Sequence, residues 1–283
     1  FNQGSGTDPL VGTDPALNVS GKVSITNSLI DRSEGYGIRL TNYLSELVVF
    51  SNNTISYCNG APICARGAYC LRNIANNNHF LSNGGSYIRI DSQYHYGDNF
   101  TIHHLDGYPW YFANGFVLDD NRNVTIEAGA VIWVEQEQQI VVPENSHLIA
   151  EGTANSRITI KGWSDVIMGY WGGIEVYSKT PGTKFIYCDI FGGGSTGAGY
   201  NLYCYAPSGG TSYVALDNTV IRSSSHYGLY LDADGSTSIG RNIVQSSQPA
   251  SVTFSNCIDG NIWSNCTGNG AVYASISDIC DLQ

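Results

Sequence analysis

Charge is scarce in this chain: only 13% of its 283 residues are Asp, Glu, Lys or Arg, and methionine occurs once. The net charge of −11 argues against nucleic acid, whose phosphates need a basic face. No apolar run approaches the 18 residues a bilayer span requires, so no membrane span is expected. No window sustains apolar residues at helical spacing, which excludes a helical bundle. There is no CxxC pair, and zinc sites and thioredoxin-like centres both want that tight spacing. No Ser lies in a GxSxG elbow, and no glycine loop resembles a phosphate cradle.

What the chain has is repetition. Asn27, Asn52 and Asn77 open NSLI, NNTI and NNHF at a step of 25 residues, a period that marks a repeat architecture. A longer echo lies over it. VSITNSLIDRSEGYGIRL (23–40) returns as VALDNTVIRSSSHYGLYL (214–231), with seven identities in eighteen positions and an offset of 191. The runs VSIT, GIRL, LVVF, TISY and YIRI are short, β-branched or aromatic, and divided by Asn, Gly and Ser, as strands and turns are. Such strands cannot bury an apolar face alone. Stacked at about 4.8 Å, each hydrogen-bonds the same strand one turn on, inward Ile, Val, Leu and Phe form ladders, and Asn stacks at a left-handed corner. The expected fold is all-β, a parallel β-helix of roughly eleven or twelve coils at about 25 residues each.

One domain spans 1–283 on this reading. Residues 1–123 form a first coil block with an aromatic segment at 101–123. Residues 124–193 form a middle block, and 194–283 a partial second copy. Phe1 in place of Met, without a signal peptide, points to a mature product or an excised fragment. Neither terminus resembles a cap, so partner chains or further repeats of the same protein are expected to cover the ends.

The middle block carries a resemblance. VTIEAGAVIWV, LIAEGTANSRITIKG, YWGGIEVY and KFIYCDIFGGG look like right-handed parallel β-helix repeat proteins of the pectate-lyase-like superfamily. More closely, they resemble the surface-exposed β-helix proteins of bacteria and archaea. This implies a right-handed helix and leaves activity open, because the fold hosts lyases, hydrolases, epimerases, adhesins and envelope proteins.

The polygalacturonase-like members of that superfamily use several aspartates, a Gly-His-Gly and an Arg-Ile-Lys. Here Asp119 and Asp120 are adjacent, no Gly-His-Gly occurs, and RITIKG is the nearest match to the last. A turn before VTIEAGA is the better reading of the Asp pair, and no catalytic residue is assigned. Asp232 and Asp234 resemble the start of a calcium loop, but Thr237 and Ile243 occupy the glycine and glutamate positions, so turn residues fit better. No cofactor is expected, with calcium the single candidate. The histidines read as surface or corner residues. Tyr108, Trp110, Tyr111 and Phe112 could stack sugar rings if exposed, or pack over the coils. Cys58, Cys64, Cys70, Cys188, Cys204, Cys257, Cys266 and Cys280 are an even set, expected to pair as disulfides in an oxidising compartment. Sequons begin at Asn18, Asn52, Asn99, Asn123 and Asn265.

The composite expectation is an exported, extracellular or cell-surface structural or adhesive protein. It would belong to an envelope, sheath or S-layer-like assembly or to a larger repeat adhesin, and polysaccharide is a candidate ligand. The alternatives are a carbohydrate-active enzyme (a polysaccharide lyase or glycoside hydrolase) and a non-catalytic glycan-binding module.

Overall fold

A computed structural model describes residues 14–164, 166–195, 199–233, 241–245, 252–255, 267–268 and 279–282. The named strands pair in parallel and stack as a β-solenoid, and the described residues contain no α-helix. Each coil visits three sides. One side is a continuous eleven-stranded sheet that starts at Leu17–Val19. The other two sides begin as a two-stranded and a three-stranded sheet, then continue as a six-stranded and a seven-stranded sheet.

The long sheet shows why these residues coil. Ile38, Ile63, Ile88, Trp110, Ile132, Ile160, Ile190 and Ile221 are successive register partners, all at 1% exposure or less. Each stacks on its equivalent one turn away, and burying such a side chain is worth about 2 kcal/mol. One ladder therefore aligns the whole stack.

The steps along that ladder correct the uniform coil length. They are 25 residues to Ile63 and to Ile88, 22 to Trp110 and to Ile132, then 28, 30 and 31 to Ile160, Ile190 and Ile221. A uniform step of 25 would give eleven or twelve coils; the long sheet has eleven strands, and about eight coils carry all three sides. The added residues lie in connections such as the loop after Ile158–Gly162, which leave the ladder itself undisturbed. The change from 25 to 22 also explains the sheet break. In the third coil the second strand is replaced by a 3₁₀ turn, Ala68–Leu71, and the two lateral ladders restart in a new register.

The 191-residue echo takes an unexpected place. Lys22–Thr26 and Leu29–Asp31 are the second and third strands of one coil, and Ile38–Leu40 is the first of the next. Their counterparts Thr211–Asp217, Val220–Arg222 and Tyr227–Ala233 are a third, a first and a second strand. The copies share local strand and turn grammar but are one side out of phase.

The Asn repeat acts through two neighbouring residues. Asn27 and Asn52 take the left-handed corner, with φ of 50° and 55°, a conformation that Asn tolerates. The interior ladder runs through the residue after it. Asn53 is fully buried; its Nδ2 donates to the Ile25 carbonyl at 2.8 Å and to Asn78 Oδ1 at 3.1 Å, and its Oδ1 accepts the Ser28 amide at 3.0 Å. A second set of corners, Arg32, Tyr57 and Ser82, repeats at the same step with φ of 58°, 52° and 52°.

The disulfide expectation is corrected. Among the described residues Cys58, Cys64, Cys70, Cys188 and Cys204 are buried and form no disulfide. Each occupies a site that a small apolar residue could fill; Cys204, for instance, is the register partner of Val176 and Leu231. Burial pushes the thiols of Cys58, Cys64, Cys70 and Cys188 up, which keeps them unreactive. Cys257 and Cys266 lie outside the described residues, and only the backbone of Cys280 is described.

Two outcomes follow. Asn53→Leu strands the Ser28 amide and the Ile25 carbonyl, so urea denaturation should show a loss of about 3 kcal/mol. The five described cysteines should alkylate with iodoacetamide only under denaturing conditions, as peptide mass spectrometry would read.

Candidate functional site

The aromatic segment is core and offers no sugar platform, which corrects the expectation for Tyr108, Trp110, Tyr111 and Phe112. Trp110–Phe112 is a strand of the long sheet. Trp110 and Phe112 point inward, where the Trp110 indole donates to the His103 carbonyl at 2.8 Å and Phe112 stacks on Phe116 at 4.8 Å. Tyr111 points outward but is roofed by Tyr87 and Trp163, with ring centroids at 5.0 and 4.5 Å, and its hydroxyl donates to Glu135. Tyr108 is half-buried against Phe80, its hydroxyl on the Phe80 carbonyl at 2.8 Å.

An array of surface aromatics on adjacent rungs lies on the six-stranded sheet. Glu175, Tyr203 and Tyr230 are register partners on three successive rungs, as are Tyr205 and Asp232 one position over. Inward Ile174, Leu202 and Leu229 alternate with them and fix their direction outward. Tyr203 stacks on Tyr230 at 5.4 Å and on Tyr200 at 4.9 Å, and Tyr227 stacks on Tyr230 at 5.2 Å. Tyr177 meets Tyr203 and Tyr205 edge-on, at 6.4 and 5.8 Å. Gly173, at φ 96°, lets this array pack down, because a Cβ there would collide with the Tyr200 backbone. Tyr177, Tyr203, Tyr205, Tyr227 and Tyr230 remain half-exposed.

Two carboxylates are set among these rings. Glu175 accepts the hydroxyls of Tyr177, at 2.9 Å, and of Tyr200; Asp232 accepts that of Tyr203 at 2.8 Å. Burial, then the neighbouring carboxylate, drives the Tyr177 and Tyr203 phenols far above their ordinary range. Asp232 thus lies in the strand Tyr227–Ala233, not in a turn, and Asp234 lies outside the described residues. Among the described residues no group of three or more His, Cys, Asp and Glu could hold a metal ion.

A different chemistry marks the outer row of the long sheet. Arg39, Cys64, Arg89, Tyr111, Trp133, Lys161, Phe191 and Arg222 are successive partners. Arg222 lies 3.7 Å over the Phe191 ring, and Lys161 lies 5.2 Å from Trp133 and 5.8 Å from Phe191. Burial, then the charge of Arg222, pulls the Lys161 amine down. Neither row can be found from motifs; only register reveals them.

Asp119 precedes and Asp120 opens the turn before Asn123–Ile126, and Asn145 donates to Asp120 at 3.1 Å. His103 and His104 sit in a cleft of about 600 Å³ at the sheet break, with His103 Nε2 on the Arg72 carbonyl at 2.9 Å and the His104 amide on Glu127 at 2.7 Å. Asn18, Asn52 and Asn99 are exposed, Asn123 is half-buried with its Oδ1 2.9 Å from His147 Nδ1, and Asn265 lies outside the described residues.

Stacked parallel strands on three sides define a β-solenoid. Residues 16–128 match the family model described as a right handed beta helix region, and the chain is a parallel β-helix repeat protein. No curated protein and no solved structure matches it.

The phenol environment has a pH consequence. Folded-state values raised above the ordinary 10 mean that the unfolded chain loses these protons first. Stability from Tyr177 and Tyr203 is therefore complete below pH 10 and lost as pH rises beyond it. Alkaline titration followed at 295 nm should show these two phenols ionising only with loss of the β-sheet circular dichroism signal.

Proposed function

We propose that the chain is an adhesive or structural β-helix of an exported cell-surface protein, and that its tyrosine face is the contact surface for polysaccharide. The carrying observation is the half-exposed array of Tyr177, Tyr203, Tyr205, Tyr227 and Tyr230 on adjacent rungs. Amphipathic rings of this kind bury large area while keeping a polar end wet. The rungs recur at about 4.8 Å on a frame held by a continuous core ladder, so a repetitive polymer meets a rigid, repetitive surface. Self-association belongs to the same reading, since envelope and sheath proteins act as arrays.

A rival reading has one observation in its favour. Lys161, with its lowered amine beside Arg222, has the character of a general base, which suits a carbohydrate-active enzyme.

Co-sedimentation with insoluble and soluble polysaccharides separates the two. The adhesive reading expects retention without release of new chain ends, and a loss of about tenfold in affinity for Tyr203→Ala with Tyr230→Ala, equivalent to ~1.4 kcal/mol. Release of new ends that disappears in Lys161→Met would overturn it in favour of the enzyme.

A further inference from the structure

The two carboxylates of the tyrosine face pose a separate question. Glu175 and Asp232 stand at diagonally opposite corners of a two-by-three grid completed by Tyr177, Tyr203, Tyr205 and Tyr230. Register places them two rungs and two residues apart, roughly 10 Å along the axis and 7 Å across it. Among the described residues, neither lies within ion-pair distance of a Lys, Arg or His. Glu135 is a third acid of this kind, accepting the hydroxyls of Tyr111 and Tyr170, whereas other acids of the described residues have cations. Glu46 is paired with Lys22 and Arg72, Asp91 with Arg89, and Asp189 with Arg157. A half-buried carboxylate set among rings, whose side-chain donors among the described residues are phenol hydroxyls, keeps its negative charge without a countercharge.

From the charge left uncompensated at these two corners we propose that the tyrosine face binds an amine-bearing saccharide, a polymer of glucosamine type, with its ammonium groups at Glu175 and Asp232. This rests on the polysaccharide reading above and names its substrate class. Ammonium groups gain both from carboxylates and from nearby phenol rings, an attraction that grows where water is excluded. A peptide is a poorer occupant. The outer face of a sheet has spent its backbone groups on neighbouring rungs, so strand addition is closed to it there. A pyranose chain needs no main-chain partner: it can lay its C–H surface on the phenols and its amines on the acids. Two acids two rungs apart also present charge at intervals, as a polymer with one amine per sugar does.

The test is isothermal titration of the chain with a fully deacetylated β-1,4-glucosamine hexamer and with its N-acetylated counterpart, which differ in charge. The amine form should bind at least tenfold more tightly, and added salt should shrink that advantage. The double variant Glu175→Gln, Asp232→Asn retains acceptors for the tyrosine hydroxyls; it should lose the advantage while keeping its affinity for the acetylated hexamer. Circular dichroism on the same samples verifies the fold. If the double variant does not fold, Asp232→Asn alone and the salt series on the unaltered chain carry the same test. Equal affinity for the two hexamers overturns this inference and leaves the polysaccharide reading standing. Binding of neither overturns both. Tighter binding of a hexalysine peptide than of the glucosamine hexamer overturns the saccharide as occupant.

Discussion

The described fold of this protein answers to the hydrogen bonds between one coil and the next. In a stack of parallel strands, the backbone of each rung is satisfied only by the rungs on either side, so each position is locked against its equivalent one turn away. Whatever a coil places inward must fit what its neighbours place inward. The Ile38-to-Ile221 ladder is the clearest result, with Trp110 admitted because two isoleucines sandwich it. Buried polar groups obey the same rule. Asn53 is tolerated at full burial because Asn78 stands one rung on and the Ile25 carbonyl accepts from it.

That constraint holds the register of strands and leaves the connections between them free, which decides what could be read from sequence. Parallel strands, a stacked core and left-handed Asn corners are properties of single rungs, visible in Asn27 and Asn52 and in the short β-branched runs. The length of individual coils was hidden because it depends on connections, and nothing in the period of the first hundred residues signals the lengthening after Ile132. The out-of-phase echo has the same origin: strand and turn grammar is local, and any of the three sides accepts it. The cysteines misled because an even count carries no information about direction. In a β-helix an inward cysteine is simply a small core residue, as Cys204 is between Val176 and Leu231.

The candidate site was illegible for a related reason. Aromatic residues concentrated in sequence, such as Trp110, Tyr111 and Phe112, alternate between faces of one strand and cannot form one surface. Residues on one face of the helix are instead about 25 to 35 apart in sequence. Tyr177, Tyr203 and Tyr230 are such a set, and each alone resembles any other strand tyrosine. What the sequence offered was the abundance of tyrosine, nineteen in all, against thirteen basic residues. The structure converts that abundance into an array by placing inward Leu202 and Leu229 beside Tyr203 and Tyr230.

The outward rows then differ in sign. The long sheet gathers Arg39, Arg89, Lys161 and Arg222 with Tyr111, Trp133 and Phe191, so it concentrates cations in a chain that is acidic overall. The six-stranded sheet gathers phenols around Glu175 and Asp232. At physiological salt a charge is felt over about 8 Å, less than the separation of sheets packed about a core roughly 10 Å thick. The two rows therefore act as independent surfaces despite the uniform net charge. Net charge accordingly says little about what a given face attracts, and a ligand is selected by the row it meets. A solenoid is suited to this arrangement because its core requires only inward residues, leaving each outward row free to take its own chemistry.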